Sequence, residues 1–267
     1  MCDYKKLLEK EVDSFKMDLK KKKHINFEKL TKDEFAKCFR LAFHDAFGQY
    51  CRREKKHYKE GLKRFLDNDF PKFYEAIIAK FKKEYEELKL SSPSEPFDSI
   101  VDYLKVPIKN IVKSNIKKEN DEDISYGLLQ KVTSMTLKYL YCFVDVKKDY
   151  LKDCYMPLDS YTILWYKKCN IDDLDEKIKN DHKTCCESIT NWTNLSEGIF
   201  KNIQQNISEI LQANYKYIRQ FNNNFLIPLS PYRLEAEFVI WKYEQLKKQF
   251  DEITRALKYT KIISTNK

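Results

Sequence analysis

The stretch that decides the predicted fold is residues 38–51, CFRLAFHDAFGQYC, which begins with Cys-Phe and ends with Tyr-Cys. Its apolar residues recur at the three- and four-residue spacing of an amphipathic helix. A related stretch at residues 142–154, CFVDVKKDYLKDC, repeats the opening Cys-Phe pair and the closing cysteine in the second half of the chain. The two copies indicate a duplicated helical unit.

Helical periodicity continues on both sides of these stretches. Thr31 and Glu34 have the spacing of a capping box, which predicts a helix that starts there and runs towards residue 66. We expect a break at Pro107, a long helix over residues 124–154, and a last helix that opens at Ser230 and Pro231. The predicted fold is an all-α, multi-helix bundle with two related halves, residues 1–90 and 97–267, joined by a Ser- and Pro-rich linker at residues 91–96.

Composition excludes several classes of protein. With only 4 glycines in 267 residues, the chain lacks the Gly-rich loops of phosphate-binding and Rossmann folds. It has no apolar stretch long enough to span a membrane. The net charge of +9 comes from interleaved basic and acidic residues, which favours solvated helix faces over a nucleic-acid surface.

The 8 cysteines predict a disulfide framework and therefore an oxidising compartment. The candidate half-cystines are Cys2, Cys38, Cys51, Cys142, Cys154, Cys169, Cys185 and Cys186, and their connectivity stays open. Three sequons supply glycosylation candidates at Asn191, Asn194 and Asn206. We therefore expect a secreted protein whose signal peptide has been replaced by Met1; a reduced intracellular helical adaptor is the alternative.

The cysteine pattern resembles the bicycle salivary proteins of gall-forming aphids, which are named for two cysteine-tyrosine-cysteine motifs. Cys38, Tyr50 and Cys51 match that motif, whereas in the second copy Tyr150 stands four residues before Cys154. The Lys-, Asn-, Ile- and Tyr-rich composition is also similar. The resemblance implies a secreted effector delivered into plant tissue and brings no catalytic residue with it.

A second resemblance concerns residues 40–46, RLAFHDA, which are similar to the distal helix of haem peroxidases. It implies that Arg40 polarises a bound peroxide and that His44 shuttles its proton. The chain departs from that family in two places. About a hundred or more residues downstream, where the iron ligand is expected, the chain offers only His182, which has no glycine near it. No glycine-containing calcium loop follows Asp45.

From these observations we expect a disulfide-stapled helical effector that binds a host protein and performs no catalysis. We expect no cofactor and no metal ion. The alternatives are a haem peroxidase that uses Arg40 and His44, and an intracellular adaptor with reduced thiols. The host target, possible entry into host cells and the oligomeric state stay open.

Overall fold

The chain forms an all-α bundle, as the sequence predicts, in a computed structural model that describes residues 4–47, 55–81, 95–113, 125–169, 171–172, 174–221 and 229–265. These residues contain eleven α-helices, one 3₁₀ helix and no strand. The helices are α1 Tyr4–Lys23, α2 Lys32–Phe47, α3 Lys55–Asn68, α4 Phe70–Phe81, α5 Glu95–Lys113, α6 Tyr126–Tyr141, α7 Lys148–Leu151, α8 Ser160–Lys168, α9 Glu176–Ser188, α10 Glu197–Phe221 and α11 Arg233–Thr265, and the 3₁₀ helix is Trp192–Asn194. Of the described helices, none combines the length and the apolar composition needed to cross a bilayer.

Several helices begin where local hydrogen bonding predicts. The Thr31 hydroxyl accepts from the Glu34 amide at 3.2 Å, which caps α2. The reciprocal half of the expected capping box is absent, because the Glu34 carboxylate instead accepts from the amide of Asn26 at 2.9 Å. Glu34 therefore holds the loop between α1 and α2 against the start of α2.

Two predicted helix boundaries are wrong. Helix α5 continues through Pro107, although proline removes a backbone donor and costs about 3 kcal/mol inside a helix. Leu104, Ile108 and Ile111 are buried in the core on either side of it, and this packing outweighs the missing hydrogen bond.

The predicted helix over residues 124–154 ends at Tyr141. Two bonds from the loop after it reach the chain between α1 and α2. The amide of Val144 donates to the carbonyl of Phe27 at 3.0 Å, and the Asp145 carboxylate accepts from the amide of Leu30 at 2.9 Å. Cys142 and Cys154 consequently do not share a helix.

Helix α6 lies at the centre of the bundle. All of its residues from Gly127 to Tyr141 are buried, and α2 and α5 pack against it. Gly127 lets the 3₁₀ helix approach α6, because a Cβ there would collide with the backbone of Trp192 and Thr193.

The two predicted halves share one hydrophobic core, because α2 belongs to residues 1–90 and α6 to residues 97–267. Residues 91–94 of the predicted linker lie outside the described residues, and α5 begins at Glu95. Duplication of the halves stays a prediction.

The expected disulfide staples are not observed. Cys2 and Cys51 lie outside the described residues, as does Tyr50 of the first motif. The six described cysteines, Cys38, Cys142, Cys154, Cys169, Cys185 and Cys186, are free thiols. Cys142 and Cys154 donate to the carbonyls four residues before them, at 3.4 and 3.5 Å, so these thiols are satisfied without a bridge.

Candidate functional site

The pair with peroxidase resemblance lies on the outer side of α2. Arg40 is exposed and His44 is half-buried, and partial burial lowers the pKa of His44. His182 lies on α9, which packs mainly on α10, whereas α2 packs mainly on α6. The described structure thus gives Arg40, His44 and His182 no common pocket for a haem.

His182 belongs instead to a cluster of thiols beside α8. Its Nε2 donates to the Tyr166 carbonyl at 2.7 Å, and the Cys169 thiol donates to the same oxygen at 3.0 Å. The sulfurs of Cys169 and Cys186 lie 3.7 and 3.6 Å from that nitrogen. Burial raises the pKa of Cys169 to about 12, which keeps its thiol protonated and weakly nucleophilic.

No group of three or more histidine, cysteine, aspartate or glutamate side chains in the described part of the chain is arranged to hold a metal ion. Burial likewise raises the pKa of Cys142 to about 12. These cysteines act as small, weakly polar core residues in this structure.

The three sequons differ in accessibility. Asn191 and Asn194 are exposed at the ends of the 3₁₀ helix. Asn206 is buried; it accepts from the Tyr166 hydroxyl at 2.7 Å and donates to the Ile178 carbonyl at 3.4 Å. A glycan on the Asn206 amide would have to displace this side chain from the core.

A cleft of about 510 Å³ lies between α1, α2, α6 and α11, and the start of α8 and Trp192 also line it. We call it the charged cleft. Its size is within the usual range of small-ligand pockets, about 300–1,000 Å³. Its wall contains lysines, carboxylates and aromatic rings in close contact.

Two ion pairs form the inner wall of the charged cleft. Lys131 and Lys138 lie seven residues apart on α6 and therefore face the same side of that helix. Lys131 pairs with Asp159 at 2.6 Å, and Lys138 pairs with Glu237 of α11. Both lysines and Glu237 are buried.

Local geometry explains why Asp159 stays ionised. Its carboxylate caps α8 by accepting from the amides of Tyr161 and Thr162 at 2.9 and 3.0 Å. Burial opposes ionisation, but the Lys131 ammonium and the Thr162 amide outweigh it and lower the pKa of Asp159 below the ordinary aspartate value.

Three aromatic rings surround the Lys138 ammonium. Its nitrogen lies 4.7 Å from the centroid of Phe15, 4.8 Å from that of Phe238 and 5.4 Å from that of Trp241. Ring faces attract cations, and the attraction strengthens when water is excluded. The ring faces and Glu237 together make it possible to bury this lysine.

Two carboxylates of the wall retain capacity to accept hydrogen bonds. Glu237 is fully buried, and within the described residues its carboxylate has no hydrogen-bond donor beyond the ion pair with Lys138. Burial raises the pKa of Glu237 despite that lysine. Asp45 accepts from the Tyr139 hydroxyl at 3.0 Å, and desolvation raises its pKa as well.

Sequence reasoning did not identify any of these wall residues. A usable signal existed for α6, because Lys131 and Lys138 are its only charged residues in a chain that is 34% charged. Glu237 carried no such signal, since its neighbours on α11 include other glutamates and lysines. Only the packing of α11 against α1 and α8 brings Glu237 to the cleft.

Comparison of the chain with protein-family models, with curated proteins and with solved structures finds no match. The geometry of the charged cleft and of the exposed surfaces is therefore the basis for a functional assignment.

Proposed function

We propose that this protein acts by binding rather than by catalysis, and that its ligand is a small organic cation with an apolar body, held in the charged cleft. The observation that carries the proposal is Glu237, whose carboxylate lies in the wall of the cleft with spare capacity to accept; it has no exposed surface, so the ligand reaches it by moving the side chains that cover it. A buried acceptor without a donor costs about 1–3 kcal/mol, so a ligand that supplies an N–H group gains that energy.

The balance of charge on the inner wall supports a cation over an anion. Both buried ammonium groups, on Lys131 and Lys138, are already paired with carboxylates. Asp45, an exposed residue, is a third carboxylate in the lining of the cleft. The hydrogen-bonding capacity that the wall still offers is mainly acceptor capacity, which suits an ammonium or guanidinium group.

The aromatic part of the wall supports an apolar body on the ligand. Phe15, Tyr139, Phe238 and Trp241 line the cleft beside Glu237. Charges also stand at the mouth, where Lys22, Lys23 and Lys242 are near the acids Glu11 and Asp18. These mouth charges favour a small ligand with a single cationic group over a polycation.

The test uses three probes of one shape: 2-phenylethylamine, 2-phenylethanol and phenylacetate. Binding is followed by calorimetry and by tryptophan fluorescence, because Trp192 and Trp241 line the cleft. We expect the amine to bind about tenfold or more tightly than the alcohol, a difference of about 1.4 kcal/mol, and the acid not to bind. Equal or tighter binding of phenylacetate, or no binding of the amine, contradicts the proposal.

A variant pair locates the binding site. Glu237→Gln should weaken binding of the amine about tenfold. Glu244→Gln is the matched control, because Glu244 is a buried glutamate on the same helix but outside the cleft. Unchanged affinity in Glu237→Gln, with circular dichroism confirming the fold, removes Glu237 from the site. If that variant does not fold, the ranking of the three probes on the original protein still decides the proposal.

A secreted effector that binds a host protein is the second candidate. The exposed lysines at the end of α1, residues 20–23, favour it, because they present a dense cationic surface to an acidic partner. Capture of an acidic host protein that is lost when these four lysines become glutamine supports it. Glutamine at the exposed Lys177 and Lys183 of α9 is the control, and equal loss there contradicts a role of α1.

The number of reactive thiols in the denatured protein distinguishes the secreted effector from the intracellular adaptor. A disulfide framework leaves few or none reactive, whereas the adaptor alternative requires all 8 to react. A full count of reactive thiols contradicts the secreted effector.

A further inference from the structure

Two partly exposed cysteines contact the same histidine where α8 and α9 meet. The sulfur of Cys169, the residue that follows α8, lies 3.7 Å from Nε2 of His182. The sulfur of Cys186, on α9, lies 3.6 Å from the same nitrogen. Two sulfurs that contact one atom are close neighbours, and rotation of both side chains about their Cα–Cβ bonds brings them towards each other.

The hydrogen bonds of His182 determine which of its ring nitrogens is free to take a proton. Its Nε2 lies 2.7 Å from the Tyr166 carbonyl, and because a carbonyl oxygen only accepts, Nε2 carries the hydrogen. In the neutral ring, Nδ1 is then the acceptor, and the Cys186 sulfur lies 3.8 Å from it. A histidine beside a cysteine activates that thiol by accepting its proton. His182 therefore presents a base to Cys186.

Cys169 has a different environment. Its thiol donates to the Tyr166 carbonyl at 3.0 Å, and burial raises its pKa to about 12, which makes it the weaker nucleophile. Burial raises the pKa of Cys186 as well, but the Lys167 ammonium opposes that effect. This asymmetry favours first attack by Cys186 and a second step by Cys169.

The neighbouring Cys185 is an unsuitable partner for Cys186. Consecutive Cα atoms are about 3.8 Å apart, whereas a disulfide requires about 4.4–6.8 Å. Side chains of adjacent helical residues also point about 100° apart. Cys185 is only 8% exposed and lies beside the Tyr166 hydroxyl. Among the described cysteines, Cys169 is therefore the partner that the geometry offers to Cys186.

We propose that Cys169 and Cys186 form a redox-active thiol pair that reacts with a small disulfide, of the class of oxidised glutathione. The Cys186 thiol gives its proton to Nδ1 of His182, and its sulfur attacks one sulfur of the small disulfide. The S–S bond of that molecule breaks, and its leaving thiolate takes the proton back from His182.

The second step closes the bond within the protein. The Cys169 sulfur attacks the Cys186 sulfur, and the second glutathione leaves as a thiolate that takes up the Cys169 proton. The two cysteines lose two electrons and two protons, and oxidised glutathione is reduced to two molecules of glutathione. The inference goes beyond the proposed function, because it uses no residue of the charged cleft.

The first test treats the reduced full chain with oxidised glutathione, blocks the remaining thiols with N-ethylmaleimide and maps the products by tryptic mass spectrometry. Lysines between Cys169 and Cys186 let trypsin separate them, so the bond joins two peptides, and fragmentation between the adjacent cysteines identifies the bonded one. We expect a bond from Cys169 to Cys186, unchanged in the control variant Cys185→Ser. No bond from Cys169, or a bond from Cys169 to Cys185, overturns the proposal.

The second test separates the roles of the two cysteines. In Cys169→Ser the reaction should stop at a stable glutathione adduct on Cys186, whereas in Cys186→Ser the Cys169 thiol should stay unmodified. Circular dichroism checks the fold of both variants. An adduct on Cys169 in Cys186→Ser, or none on Cys186 in Cys169→Ser, overturns the order of attack. If either variant does not fold, the bond mapped in the original protein still decides the pairing.

The third test concerns His182 as the base. Glutamine keeps an N–H group for the Tyr166 carbonyl but does not take up a proton. We expect Cys169→Ser/His182→Gln to form the Cys186 adduct about tenfold or more slowly than Cys169→Ser. Looser packing would instead expose Cys186 and speed the reaction, so a slower reaction reports the loss of the base. An unchanged or faster rate overturns this role of His182.

Discussion

Two regions of the core bury different kinds of side chain. Around α2, α3 and α4, five buried phenylalanines pack ring against ring, with centroid separations of 5.3 to 6.4 Å: Phe35, Phe39, Phe65, Phe70 and Phe73. Where α6 faces α11 and the start of α8, the side chains are instead paired charges, Lys131 with Asp159 and Lys138 with Glu237. We call these regions the phenylalanine cluster and the charged wall.

The difference separates a region that stabilises the fold from one suited to binding. Rings in contact add about 0.5–1.5 kcal/mol per pair to the energy of burial. A buried ion pair gains little net stability, because desolvation offsets the attraction, but it fixes charge at a chosen place. The charged wall therefore holds charge beside a cleft at little net gain in stability, whereas the phenylalanine cluster contributes packing.

The largest expected effect is on the phenylalanine cluster. Phe39 has no exposed surface and contacts the rings of Phe65, Phe70 and Phe73. We expect Phe39→Ala to lower the free energy of unfolding by about 3–5 kcal/mol through lost burial and a residual cavity. Urea denaturation measures it, and the loss should be nearly independent of pH because no charge is involved. A strongly pH-dependent loss would falsify this separation of the two regions.

On the charged wall, we expect Lys138→Met to cost about 3 kcal/mol at neutral pH by leaving Glu237 buried without its cation. Protonation of Glu237 limits the cost, since burial already raises the pKa of this carboxyl. With a raised folded-state pKa, stability is present at acid pH and is lost as pH rises, so the deficit should shrink towards about pH 4.

The control for that change removes both charges together. Lys138→Met/Glu237→Leu should recover most of the lost stability, because neither partner is then left unpaired in the core. Denaturation curves at two pH values measure both variants. A double variant that is no more stable than Lys138→Met alone contradicts the view that the wall contributes little net stability.

A smaller effect is expected at Asp159. Its folded-state pKa is lowered, so its contribution is present above the ordinary aspartate pKa of about 3.9 and is lost as pH falls below it. Asp159→Asn keeps an oxygen to cap α8 but removes the partner of Lys131, and we expect a loss of about 1–3 kcal/mol at neutral pH that fades in acid.

Asp175→Asn is the matched control for Asp159. Asp175 caps α9 by accepting from the Lys177 amide at 2.8 Å, at an exposed position. Asparagine caps helices about as well as aspartate, so thermal or urea unfolding should show almost no change. A comparable loss in both variants would mean that capping, and not the Lys131 pair, accounts for the contribution of Asp159.

Helix identity and many helix ends could be predicted because short-range interactions set them. The Thr31 hydroxyl caps α2, as the spacing of Thr31 and Glu34 predicts, and the last helix begins at Arg233, within three residues of the predicted Ser230. Both features depend on groups only a few residues apart, and a sequence displays those directly.

Where prediction failed, contacts between distant segments override local preference. Core packing keeps α5 helical through Pro107. Helix α6 ends at Tyr141, and the residues after it form hydrogen bonds to the backbone of Phe27 and Leu30 instead. The cysteine pattern suggested bridges, but bridging depends on the placement of side chains in space, and the six described thiols are unbridged.

The sequence by itself determined an all-helical chain and the amphipathic faces of its helices. Because glycine is scarce, it also determined that the helices end mostly at other residues. Only the tertiary structure decided which charges are buried together. Lys138 and Glu237 are 99 residues apart and belong to different helices; the sequence marks Lys138 as one of two charged residues on α6, but nothing local pairs it with Glu237. The cost of burying a charge depends on the distance to a partner in space, and the charged cleft exists because packing of α11 on α1 and α8 brings Glu237 beside Lys138 of α6.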